Sequence, residues 1–125
     1  MIPKRKKAGK LGVRAAPQIR SAGHLQWIRG HCCAACGTAG DMLRGKIEAA
    51  HVRTGTDGGM GLKPGDNWTI PLCAHHHRDQ HQIGEAEFET IFGIDMKAIA
   101  VALWAKSPHR RKHFFSVAPA TTATA

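Results

Sequence analysis

A chain of 125 residues supports one domain, and with Gly and Pro frequent its short core would gain from a metal or another staple. No apolar run approaches the roughly 18 residues of a membrane helix, and the basic opening MIPKRKKAGK leads into no apolar segment. This argues against membrane insertion and secretion and for a cytoplasmic protein. The net charge of +9 belongs to the ends: residues 1–20 carry seven basic side chains and no acid, and Arg110, Arg111 and Lys112 add three more. Residues 21–109 hold eight basic and nine acidic side chains. Basic ends attract polyanions without regard to sequence, through counterion release; the plainer alternative is a solubilising extension with no partner.

In chain order, residues 1–20 read as a basic flexible arm, rich in Lys and interrupted by Pro3, Gly9, Gly12 and Pro17. A short helix is predicted over 22–29, with Ser21 as cap and Leu25, Trp27 and Ile28 as its apolar contacts. The knuckle HCCAACG follows. Lys46–Arg53 has the alternating character of a short strand, and the loop at 54–67 contains five glycines and one proline. Trp68–Leu72 predicts a second strand, which Pro71 marks as an edge or an end. A helix runs from Cys73 to Ile83 and stops at Gly84. Another begins near Glu85 with Phe88, Ile91 and Phe92 on one face, and a last one opens at Asp95 with Ile99, Ala102 and Leu103 as its core side. The domain thus spans 21–109, and 110–125 is a basic, then low-complexity, tail.

Cys33-x2-Cys36 offers two thiolates from one turn, and Cys73-x2-His76 offers a second half-site at a helix start. Together they make a Cys3His set for structural zinc, in preference to disulfides in a chain without an export signal. Free cysteines packed in a core are the plainer alternative; Cys32 is a bystander on its spacing. Cys33, Cys36, His77 and His81 also match the ligand order of a DNA-binding zinc finger, but 40 residues separate the halves where that module expects about 12.

His77 and His81 stand four apart, so on one helix they point the same way, while His76 is turned by roughly a quarter turn. One helix can therefore serve two sites, 73 and 76 toward zinc and 77 and 81 toward a second metal, with His51 at the end of the first strand able to face the latter. His75 reads as an ordinary surface histidine.

The series CAACG, IEAAHVR and GGMGLKPGDNWTIPLCAHHHRDQH resembles the HNH nucleases with their ββα-metal fold, most nearly a compact phage and bacterial branch that includes RecA-dependent nucleases. The likeness covers about Leu25 to Phe88. It implies an α+β domain with a ββα-metal core, a zinc knuckle and flanking helices. It implies a metal-dependent endonuclease that hydrolyses phosphodiester bonds, in DNA by preference, leaving 5′-phosphate ends, in a bacterial or phage-infected cell and with a possible licensing protein partner. His51 would be the general base, and His77 and His81 would hold a catalytic divalent ion such as Mg2+. An Asn normally orients the base; its slot falls on Trp68, which leaves Asp66 and Asn67 as candidates. Where many members place a further ligand before the base, this chain has Ala50, so Glu48 or Asp66 could fill the vacancy. Arg53 and Lys63 are candidate phosphate contacts, or equally two solvated charges. The departures also leave open a non-catalytic, zinc-stabilised nucleic-acid-binding module, or a protein-interaction scaffold.

Overall fold

The computed structural model describes residues 18–58 and 63–110. Most of the expected arm, the loop centre at 59–62 and the tail from 111 lie outside the described residues. Helix α1 (Ala22–Arg29) precedes strands β1 (Ile47–His51) and β2 (Thr69–Cys73), then helices α2 (Ala74–Ile83), α3 (Glu85–Phe92) and α4 (Met96–Lys106). The described residues form a small α+β unit: β1 and β2 pair antiparallel, α1, α2 and α4 contact the sheet, and α3 contacts α2.

α1 starts where the sequence places it. Ser21 is extended, and its Oγ accepts the His24 N–H at 3.1 Å, a cap worth about 1 kcal/mol. Its inner face is His24 and Ile28, both fully buried, whereas the expected contacts Leu25 and Trp27 are only half-buried. A polar residue can hold that inner position because Nδ1 of His24 lies 2.8 Å from Ser107 Oγ at the end of α4, and its ring meets those of Trp27 and Trp104.

The register runs from Ile47 opposite Cys73 to His51 opposite Thr69. The expected first strand is shortened at its far end because Arg53 and Thr54 give their N–H groups to the Glu85 carboxylate, both at 2.8 Å, and not to a neighbouring strand. β2 lies one residue later than expected, and Cys73 both ends it and caps α2. Pro71 is tolerated in mid-strand because a two-stranded sheet has only edges; its carbonyl accepts Ala34 N–H at 2.8 Å, which seats the knuckle on β2.

α2 has no side-chain cap. Its leading N–H groups, on Ala74 and His75, donate to the carbonyls of Lys46 and Arg44, each at 3.0 Å, so the turn before β1 closes the helix start. The helix stops at Gly84, whose φ of +91° suits glycine. Ile70, Leu72, Ala50, Phe88, Met96 and Ala100 form the centre of the core. Two expected apolar faces are corrected here. Ile91 is exposed on α3, leaving Phe88 and Phe92 to pack inward, and α4 turns Met96 and Ala100 to the sheet while Ala102 faces solvent. Among the described residues, no helix is long and apolar enough to cross a membrane.

Candidate metal centre and histidine site

The knuckle is shaped by its own backbone: Cys33 N–H donates to Thr38 O at 2.9 Å, and Gly37 N–H returns to Cys33 O at 2.8 Å. Seated on β2, it faces the start of α2. The ligand atoms of Cys33, Cys36, Cys73 and His76 all lie within 4.8 Å of one another. Nδ1 of His76 is 3.2 Å from Cys73 Sγ and 3.8 Å from Cys33 Sγ. Cys33, Cys73 and His76 are buried and Cys36 is exposed, so the set is reached from one side. Burial pushes the Cys73 thiol up to about 11, with Cys33 adding to the rise. Burial also acts to raise Cys33, but hydrogen bonds from its surroundings outweigh it and hold that thiol below its ordinary value. Burial, with the charges of His75 and Arg44, keeps the His76 imidazole low and therefore neutral. Three sulfurs and a neutral ring nitrogen at this spacing fit one tetrahedral ion, with sulfur–metal bonds of about 2.3 Å. The cluster can bind a metal. Cys32 is exposed and outside it, as its spacing suggested.

Two further histidines are each hydrogen-bonded to a carboxylate. At the end of β1, Nε2 of His51 lies 2.9 Å from Asp66 Oδ1. Asp66 is buried, and its Oδ2 accepts Ser21 N–H at 2.8 Å. Burial would raise this carboxyl, but His51, the Ser21 amide and Arg20 together hold it below the usual carboxylate range. An ionised carboxylate only accepts, so His51 carries its proton on Nε2 and offers the lone pair of Nδ1. Burial, aided by Lys63 and Arg20 and opposed by Asp66, keeps the His51 pKa below its ordinary value. The ring is a neutral base at pH 7.

In the second pair, Nδ1 of His77 is 2.8 Å from Glu48 Oε1. His81 lies one turn on, its ring centroid 5.0 Å from that of His77, and is exposed. This leaves Nε2 of His77 and the His81 ring as donors on the same side of α2. Glu48 thus fixes the orientation of the His77 ring. His51, His77 and His81 do not draw together as closely as the cysteine cluster does; the other mutually close group among the described residues is His75, His76 and Asp79. Ala50 is fully buried opposite Ile70.

Of the other expected residues, Asn67 has its Oδ1 buried without a hydrogen-bond partner, in the space that a Cβ on Gly65 would fill. Trp68 packs against the core. The side chains of Arg53 and Lys63 are exposed, while their backbones are held by Glu85 and Arg20.

Three supporting residues escaped the sequence reading. Glu85 clamps the turn after β1. Gln80, buried on α2, donates to His51 O at 3.3 Å and to the Met96 sulfur at 3.5 Å. Arg20, placed in the arm, reaches across 44 residues to Pro64 O at 2.5 Å and across 46 to Asp66 Oδ1 at 3.4 Å. Gln80 left a trace as an uncharged polar residue one turn beyond His76. Arg20 and Glu85 left none, because most of their partners are backbone groups far away in sequence.

The fold and this geometry define a small α+β unit with a cysteine–histidine cluster that could hold a metal and a histidine–carboxylate pair at a strand end. The chain belongs to the family described as Protein of unknown function (DUF968), whose pattern matches residues 15–107. It is similar to the Escherichia coli (strain K12) protein "Uncharacterized protein YdfU", 32% identical over 76 residues, which is 61% of this chain and 20% of the relative. The chain therefore spans about a fifth of that relative's length. No solved structure matches it.

Proposed function

We propose that the chain is a metal-dependent endonuclease of the HNH type, with β1, β2 and α2 as its ββα-metal core and zinc in the Cys33–Cys36–Cys73–His76 cluster. The observation that carries this reading is the 2.9 Å bond between His51 Nε2 and the buried Asp66 carboxylate, which leaves Nδ1 as a neutral base. In this reading His51 Nδ1 accepts a proton from water attacking a phosphodiester, and Asp66 stabilises the imidazolium that results. Asp66 takes the place of the orienting Asn, so Asn67 is not required for that role. His77 and His81 would hold a divalent ion such as Mg2+, which supplies positive charge to the transition state and the departing 3′ oxygen. Glu48 would orient His77, answering the absence of a ligand at Ala50. The polyanion, DNA by preference, would be gathered by the basic ends and by Arg53 and Lys63.

The test is cleavage of plasmid DNA by the zinc-loaded protein with Mg2+ or Mn2+. His51→Ala should lower the rate by roughly 100- to 10,000-fold, the usual contribution of a general base, with zinc content unchanged. Equal rates in the two proteins would remove His51 from the mechanism. A second reading, a zinc-pinned nucleic-acid-binding module without catalysis, is favoured because His51, His77 and His81 form no mutually close ligand group among the described residues. It predicts salt-sensitive binding and no nicking with either ion.

A further inference from the structure

Arg20 is joined to four acceptors. One guanidinium nitrogen, NH1, donates to Pro64 O at 2.5 Å and approaches Asp66 Oδ1 at 3.4 Å. The other, NH2, donates to Lys63 O at 3.1 Å and Gln18 Oε1 at 3.2 Å. The neighbouring backbone continues the same seam: Asp66 N–H donates to Ile19 O at 2.7 Å, and Ser21 N–H to Asp66 Oδ2 at 2.8 Å. A rigid fork of donors suits this task, since Lys has a single point of charge and could not span two carbonyls and a carboxylate. Asp66 Oδ1 is shared, accepting from His51 Nε2 on one side and facing Arg20 on the other.

We infer that Arg20 is a positioning residue for the His51–Asp66 pair: it fixes the backbone that carries Asp66 and faces its carboxylate, and thereby holds His51 in the tautomer that leaves Nδ1 free. The inference rests on the reading of His51 as the proton acceptor. Arg20 has two effects on the imidazole. Through Asp66 it secures the Nε2–H bond, and through its own charge it opposes protonation of the ring. Among the described residues, the charged groups that act on His51 are Asp66, Lys63 and Arg20, while Thr69 across the sheet and Gln80 from α2 are neutral. Losing Arg20 therefore raises the proton affinity of His51 and loosens its choice of tautomer.

The experiment is a pH titration of the isotopically labelled, zinc-loaded full chain, following both His51 ring nitrogens by NMR, for wild type, Arg20→Gln and Arg20→Lys. In wild type the proton is expected on Nε2, with a midpoint below 6.5. Arg20→Gln should move the midpoint up and mix the tautomers. Arg20→Lys should restore the midpoint but not the single tautomer. In the cleavage assay, the acid limb of the kcat/KM profile should move with the midpoint in Arg20→Gln. Wild-type tautomer and midpoint in both variants, at unchanged melting temperature, would overturn the inference. So would an effect confined to KM and its salt dependence, which would make Arg20 a substrate-binding residue. If Arg20→Gln does not fold, the tautomer in Arg20→Lys decides. If the spectra shift as expected but no protein in the series cleaves DNA, the positioning role stands and the hydrolytic reading falls.

Discussion

At the scale of single residues, histidine does three different jobs within one short chain, and its surroundings decide which. His76 faces sulfur, His51 faces a buried carboxylate, and His24 is enclosed between two tryptophans with Nε2 unpartnered. For His24, burial first, and then the nearby His109, lower the pKa from 6.5 to about 4, against a smaller opposing pull from Asp66. The unfolded chain therefore binds this proton more readily than the folded one does. Stability from a neutral His24 is complete above pH 6.5 and is lost as pH falls toward 4, by up to about 3 kcal/mol at 1.36 kcal/mol per unit. Urea unfolding at pH 7 and pH 4.5 should show His24→Asn losing less stability between the two pH values than wild type. An equal loss in both would mean that His24 does not titrate in this range. The candidate site was legible wherever chemistry repeats at short spacing, as in Cys33-x2-Cys36, Cys73-x2-His76 and His77-x3-His81. Asp66 was already among the candidates to orient His51, but the choice between it and Asn67 needed three dimensions, because their side chains point to different partners.

At the scale of elements, α2 is where the parts meet. Consecutive residues His76 and His77 point into different environments, the first to the cysteine cluster and the second to Glu48 on β1. Its start is tied to the turn before β1 by the carbonyls of Arg44 and Lys46, with no side-chain cap to hold it independently. A metal in the cluster would therefore hold helix, knuckle and strand together, and its removal would loosen all three. Chelation of the zinc-loaded protein should lower the melting temperature by roughly 10 °C or more, with loss of near-ultraviolet signal, and Cys73→Ser should behave like the chelated wild type. A melting curve unmoved by a strong chelator would count against a structural ion. Element existence was readable from caps and breakers, namely Ser21, Asp95 and Gly84. The inner face of α1 was not, because His24, a polar residue with a partner, occupies a core position that a hydrophobic pattern does not recognise, as Gln80 does on α2. The end of β1 was obscured for a related reason, since a carboxylate from α3 takes the amides that a neighbouring strand would otherwise have taken.

At the scale of the molecule, charge and chemistry are segregated: the ends carry the positive excess and the span between them is close to neutral. If the basic ends gather nucleic acid, a plot of log affinity against log salt should be steep. Deletion of residues 1–17, with six basic side chains, should flatten it by roughly 0.9 for each phosphate that is no longer neutralised. An unchanged slope would assign binding to the domain itself. The seam at Gln18 to Ser21 has another consequence, for assembly. The segment between β1 and β2 is fastened at one end by Glu85 from α3 and at the other by Arg20 and Ile19 from the chain ahead of α1. Neither fastening is part of the hairpin. A peptide cut to the two strands and their connection would lack both, so its imidazole and carboxylate should pair weakly or not at all, which NMR of such a peptide would check.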